Sequence, residues 1–217
     1  MSEAQPLQQL LEQRGDLWRG RRRPSVKALP SGRAELDSWL PDGGWPCGCL
    51  IELLPETLGS GELELLLPVL AAQTRQGWPV MLIAPPMVPC PQRLQRAGVA
   101  LERLVIVRDP SQALWVSEQA LKSGLCGLIL IWHPRGQVKA PSIRRLQLAA
   151  RSGSAPAVLC YQPGQLAPPS LAALRLSITP GPALSLLRGD GPSRSLHLGR
   201  GNVIALADRR KLQRSPA

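Results

Sequence analysis

A chain of 217 residues with 44% hydrophobic content suits one domain with extensions or two small ones, and it holds enough apolar material for a real core. That core must be largely aliphatic, since the sequence has no Phe, one Tyr and six Trp. Every apolar stretch stops at Pro, Gly or charge before bilayer length, which excludes a membrane span, while a net charge of +11 points toward nucleic acid or an acidic partner.

Taken in chain order, residues 5–14 place Leu7, Leu10 and Leu11 on one helical face. A helix this short is marginal alone and needs a cover, either its own core or a partner. Gly15 ends it, and Arg19, Arg21, Arg22 and Arg23 lead to Pro24, so residues 1–28 read as an N-terminal helix and an Arg-rich linker. Leu36, Trp39 and Leu40 predict a second short helix, stopped by Pro41-Asp42-Gly43-Gly44. Cys49–Leu54, bounded by Gly48 and Pro55, reads as a buried strand, and Glu62–Gln76 as a helix that tolerates Pro68 and is closed by Gly77. Strand Val80–Ala84, a proline-rich loop and helix Gln92–Ala97 follow. Next come strand Leu104–Val107, helix Ser111–Ser123, strand Leu128–Trp132, a basic loop, helix Ser142–Ser152 and strand Ala157–Tyr161. Strands separated by helices predict a mostly parallel α/β sheet with helices on both faces.

After Pro169 the pattern changes. Leu171–Thr179, Ala183–Arg188 and Ser195–Leu198 read as antiparallel strands, the last two forming a C-terminal hairpin across Gly189-Asp190-Gly191-Pro192. Residues 29–200 are therefore the expected core, and 201–217 a basic tail containing Arg209, Arg210 and Lys211. Charge is concentrated at the ends. Residues 1–33 carry seven Lys/Arg against three Asp/Glu, residues 188–217 seven against two, and the 154 residues between them twelve against ten. Such arms contact DNA or an acidic partner, or else serve only as solvated tails.

Candidate chemistry is sparse. The five cysteines are odd in number and scattered, and only Cys47 and Cys49 lie close, with no second pair or histidine cluster to complete a zinc site. Free thiols in a reducing cytoplasm are expected, with no metal and no cofactor. The polar first residues lack the layout of a secretory signal, which agrees with a cytoplasmic protein. His133 and His197 have no Ser, Cys or Asp placed to form a triad. Arg144, Arg145 and Arg151 occupy the polar side of a helix whose apolar residues are Ile143, Leu146 and Ala150. That side is either a solvated face or a DNA or partner surface, to which Arg135 and Lys139 would add. Trp132 suits loop packing or a stacking platform for a base.

The segment Gly59-Ser60-Gly61-Glu62-Leu63 follows a strand and opens a helix, the position of a phosphate-binding loop. Such a loop needs a lysine for the β- and γ-phosphates and a hydroxyl for magnesium. Glu62 and Leu63 supply neither. Like charges about 4 Å apart repel by roughly 4 kcal/mol at an effective dielectric near 20. A structural turn packing helix on sheet is the simpler reading of the glycines, and an anion held by backbone N–H groups the alternative.

The order of these elements resembles RecA over roughly residues 30 to 180. Ser31, Gly32, Leu36 and Asp37 look like its lead-in, and Gly43 to Glu52 continues it. Ala97-Gly98-Val99, Gln112-Ala113-Leu114 and Ser123-Gly124 keep its order, and Gln162 is similar to its nucleotide-sensing glutamine. The resemblance also locates three departures. Glu62 and Leu63 stand for lysine and threonine, Trp132-His133 ends the strand that would end in a magnesium-binding aspartate, and Pro85-Pro86 replaces the catalytic glutamate. Together they imply a pseudo-ATPase, because phosphoryl transfer relies on positioning and charge neutralisation.

The phrases LPSGRAELD, GGWPCGCLIELL, IAPP at Ile83–Pro86 and RRLQLAA at Arg144–Ala150, with the G-x-G-E-L of Gly59–Leu63, resemble the ImuA family. That resemblance implies a non-catalytic accessory role in SOS-induced, error-prone translesion DNA synthesis. The implied partners are RecA, the ImuB-type inactive Y-family polymerase homologue and an error-prone C-family DNA polymerase, with DNA or a second copy of the chain as further candidates. Leu7, Leu10 and Leu11 would serve RecA or a second copy. Arg21, Arg22, Arg23, Arg144, Arg145, Arg209, Arg210 and Lys211 would serve DNA or an acidic surface near the nucleoid. A SulA-type inhibitor of the division GTPase FtsZ shares the same degenerate core and is the regulatory alternative, against which the long basic C-terminal extension argues. A RecA-family ATPase is the enzymatic alternative, and the three departures argue against it.

Overall fold

Strands form where aliphatic residues run without a charge. Leu128–Trp132 buries all five of its positions and Ala157–Cys160 all four, the pattern of parallel strands covered on both faces. The computed structural model describes residues 26–134, 136, 139–169, 172–181, 183–189 and 195–198. Within them lie β1 (Ala28–Leu29), α1 (Ala34–Trp39), β2 (Trp45–Pro46), β3 (Leu50–Pro55), α2 (Glu62–Arg75), β4 (Val80–Ile83), α3 (Pro91–Arg96) and β5 (Leu104–Val107). The chain continues through α4 (Ala113–Ser123), β6 (Leu128–Trp132), α5 (Ala140–Ser152), β7 (Ala157–Cys160), β8 (Leu174–Thr179), β9 (Ala183–Arg188) and β10 (Ser195–His197).

Eight strands make one sheet in the order β10-β9-β8-β3-β7-β6-β4-β5. The pairs from β8 through β5 are parallel, and β8-β9 and β9-β10 are antiparallel. The mixed α/β architecture with a C-terminal hairpin is thus as expected. One strand differs. The segment read as antiparallel from Leu171 is β8, which begins at Leu174 and runs parallel to β3, with Leu53 facing Leu176, and is antiparallel only to β9. Its alternating burial identifies a half-covered strand but carries no direction. Direction comes from the connection after β7, which returns to the start of β3, where Ala173 N–H donates to Leu50 O at 3.0 Å.

Alternate residues of each strand enter opposite cores. Leu128, Leu130 and Trp132 join Leu66 and Leu70 of α2 on one side, and Ile129 and Ile131 join Ile143 and Leu146 of α5 on the other. The antiparallel pair β1-β2 was not expected from the sequence, and Ala28 within it falls in the stretch read as linker. Gly32 holds α1 to α2. Its φ is +80°, and a Cβ there would meet Pro68 Cβ at 2.5 Å. Leu7, Leu10, Leu11, Arg21, Arg22, Arg23, Arg209, Arg210 and Lys211 lie outside the described residues.

Candidate functional site

β3 delivers the chain to its carboxyl end, and a tight turn carries it into α2. Ser60 closes that turn. Its hydroxyl donates to Thr57 O at 2.8 Å and accepts from Thr57 N–H at 3.1 Å, while its own N–H donates to Thr57 O at 3.3 Å. The hydroxyl is therefore spent within the loop. Gly61, at φ 103°, is the helix N-cap in a left-handed conformation that glycine adopts without strain. Glu62 and Glu64 occupy the first turn of α2, where the helix dipole favours each carboxylate by about 0.3–1 kcal/mol.

The two carboxylates have different surroundings. Glu64 forms an ion pair with Arg93 of α3. Glu62 is only 7% exposed, and its Oε2 has no hydrogen-bond partner. The Cys160 thiol is pushed well above its ordinary value, mainly by complete burial and further by the Glu62 carboxylate. Above Glu62 opens a cavity of about 530 Å³ whose walls include Leu58, Leu63, Leu67, Met87, Val88 and Trp132. Trp132 is buried, as the packing reading expected, yet its indole Nε1 is also without a partner. These walls come from the loop after β3, from α2, from the connection after β4 and from the last residue of β6.

A second cleft, of about 610 Å³, lies over the carboxyl ends of β4 to β7, with Pro86, Arg108, His133 and Gln162 among its lining. Ala84 opens the proline segment at φ 52°, unusual for a residue with a Cβ, and its N–H donates to Val107 O at 2.7 Å. Gln162 N–H donates to Gln165 Oε1 at 2.7 Å, and Gln162 Nε2 donates to His133 O at 3.4 Å. That side chain thus ties the end of β7 to the end of β6. His133 Nδ1 lies 2.7 Å from Pro134 O, and its ring stacks on Tyr161 at 6.2 Å between centroids. Burial holds the imidazole pKa below its usual value, against the opposing effect of the Pro134 carbonyl.

Beneath this cleft lies a charged group that sequence reasoning missed. Glu52, fully buried in β3, accepts from Tyr161 Oη at 3.0 Å and from Arg175 Nε at 2.6 Å, and Arg175 also donates to Pro168 O at 2.7 Å. Burial drives the Tyr161 phenol pKa well upward, and the neighbouring Glu52 adds to it. The signal available in the sequence was a lone glutamate inside an apolar strand.

The basic helix face is partly answered within the chain. Arg145 pairs with Glu118 of α4 at 2.5 Å, and Lys122 reaches the same carboxylate at 2.7 Å. Arg144 is exposed and lines a shallow cleft with Gln147 and Arg188. The structure therefore brings Gly59, Gly61, Glu62 and Leu63 together at one cavity, turns Ser60 into the loop, and leaves Arg144 and Arg145 elsewhere on α5. Among the described residues no group of three or more His, Cys, Asp or Glu is placed to hold a metal ion, and no helix is long and apolar enough to cross a membrane.

The mostly parallel sheet, with a glycine turn between β3 and α2, gives the class of the chain, an α/β domain with helices on both faces. More narrowly, the chain belongs to the MT3502 N-terminal domain family, whose model matches residues 38–165. RecA of Acholeplasma laidlawii is 36% identical over 110 residues, covering 49% of this chain and 33% of that protein. RecA of Bacillus subtilis (strain 168) is 30% identical over 109 residues, covering 49% and 31%. The chain thus spans about a third of the length of the curated relatives it matches. The solved structure of SulA from Pseudomonas aeruginosa matches at 27% identity and a TM-score of 0.43, covering 54% of this chain and 99% of that one.

Proposed function

We propose that this chain is a non-catalytic, RecA-like accessory protein of SOS-induced translesion DNA synthesis, linking an ImuB-type polymerase homologue and an error-prone C-family polymerase to RecA and DNA near the nucleoid. The observation that carries the non-catalytic half is Glu62. A carboxylate with an unpartnered oxygen stands at the start of α2, where a triphosphate would require a cation. Leu63, Trp132 and Pro85-Pro86 support it, because none can hold magnesium or activate water. The RecA likeness over half the chain and the ImuA-like phrases support the partner half.

Calorimetry with Mg-ATP at millimolar concentration tests the first half. No heat beyond dilution is expected, and binding tighter than about 100 μM overturns it. Glu62→Lys alone should not restore hydrolysis, since metal ligand and base would still be absent. Affinity purification from DNA-damaged cells tests the second half. Recovery of RecA and the polymerases is expected, and recovery of FtsZ in their place would select the division-inhibitor alternative.

A further inference from the structure

The cavity above α2 contains two buried polar atoms that the chain leaves unanswered. Glu62 Oε2 is an acceptor without a donor, and Trp132 Nε1–H is a donor without an acceptor. Their residues are 7% and 4% exposed, and both line the same space. Buried polar groups in native proteins are nearly always paired, and a carboxylate without a cation is the costliest exception. Glu64, the other acid at the helix start, already has Arg93. Apart from that ion pair, which also lines the space, and Cys90, the remaining walls are apolar, and the rim residues Leu58, Met87 and Val88 stand out into solvent, Met87 at 74% exposure.

These features discriminate among occupants. An anion would meet two carboxylates, Glu62 and Glu64, and a single guanidinium, Arg93, that Glu64 already holds. A wholly apolar ligand would seal both polar atoms away from water and answer neither. A cation on an apolar stem satisfies the carboxylate and is also drawn to the indole face. Its stem would lie along Leu63 and Leu67, a backbone carbonyl beside it would accept from Trp132 Nε1–H, and apolar neighbours would cover Leu58, Met87 and Val88. A volume of about 530 Å³ holds one long side chain with its immediate flanks. We propose that this cavity is a socket for an arginine or lysine side chain presented by an apolar-flanked segment of a partner protein. The proposal rests on the reading that nucleotide does not occupy the loop, and names what takes its place.

Full-length 15N-labelled protein would be titrated with acetyl-Leu-Arg-Leu-amide, acetyl-Leu-Lys-Leu-amide and the uncharged acetyl-Leu-citrulline-Leu-amide. The readout is the Trp132 indole N–H resonance, assigned from its loss in Trp132→Phe. Saturable movement with the arginine or lysine peptide is expected, with the citrulline peptide at least about tenfold weaker. Glu62→Gln should weaken the charged peptide by about tenfold while the other indole resonances stay in place. Should that variant fail to fold, Met87→Ser with Val88→Ser, both at exposed positions, should weaken binding several-fold. Equal binding of the citrulline peptide, unchanged affinity in Glu62→Gln or in the rim variant, or no movement up to about 10 mM charged peptide would overturn the socket. Mg-ATP added in parallel separates the two ideas. Movement of the Trp132 resonance by nucleotide sinks the pseudo-ATPase reading, whereas silence to both nucleotide and peptide sinks the socket alone.

Discussion

Glu52 is fully buried in an aliphatic strand, and the two donors converging on it make that burial tolerable. Removing one member of such a pair leaves a charge stranded, which costs more than the pair contributes when whole. Arg175→Met should therefore destabilise the protein by about 3 kcal/mol, at the low end for a buried pair because the Arg175 side chain keeps 17% exposure. Urea denaturation of the variant beside the wild type measures it, and a loss under about 1 kcal/mol would show that water replaces the guanidinium. The acid of this pair was visible in the sequence as a glutamate within LIELLP. Its partner was not, because Arg175 lies 123 residues further on and reaches it only through the β3-β8 pairing.

At the level of elements, α2 shows how a helix with an internal proline is held. Pro68 lacks an N–H and crowds the carbonyl one turn before it, yet Gly32 packs directly against its ring. Gly32→Ala meets two obstacles together, a positive φ and a Cβ placed 2.5 Å from Pro68 Cβ. A loss of about 2–4 kcal/mol is expected, read as a lowered thermal midpoint, and a midpoint within a degree of the wild type would show that α1 can slide away. The alternation of helices and strands was legible because burial on both faces leaves apolar runs between proline and glycine stops. The pair β1-β2 was not, since two-residue strands have no period, and neither was the parallel pairing of β8 with β3. The glycine turn before α2 could be read from residues 59–63 alone. The cavity above it could not, because Met87 and Val88 arrive from the connection after β4 and Trp132 from the end of β6, far along the chain.

For the molecule as a whole, the excess charge lies at the two ends, around a nearly neutral middle whose Arg145 is already paired. If the C-terminal arm holds DNA, replacing Arg209, Arg210 and Lys211 by Ala should reduce the log–log salt slope of binding by about 2–3, because fewer counterions are released. Fluorescence anisotropy across a salt series measures that slope, and an unchanged value would assign the tail to solubility or a protein partner. The strand order has a temporal consequence as well. β3 is the first strand of the large sheet to be synthesised, yet both of its neighbours, β7 and β8, come from residues 157–179. A nascent chain that has emerged only as far as α5 can pair β4 with β5 and β6, while β3 waits with both hydrogen-bonding edges open. The glycine turn and α2 hang from that waiting strand, so the loop must be the last part of the site to take shape on the ribosome, and a chain cut short before residue 157 would expose this aliphatic strand to any passing edge.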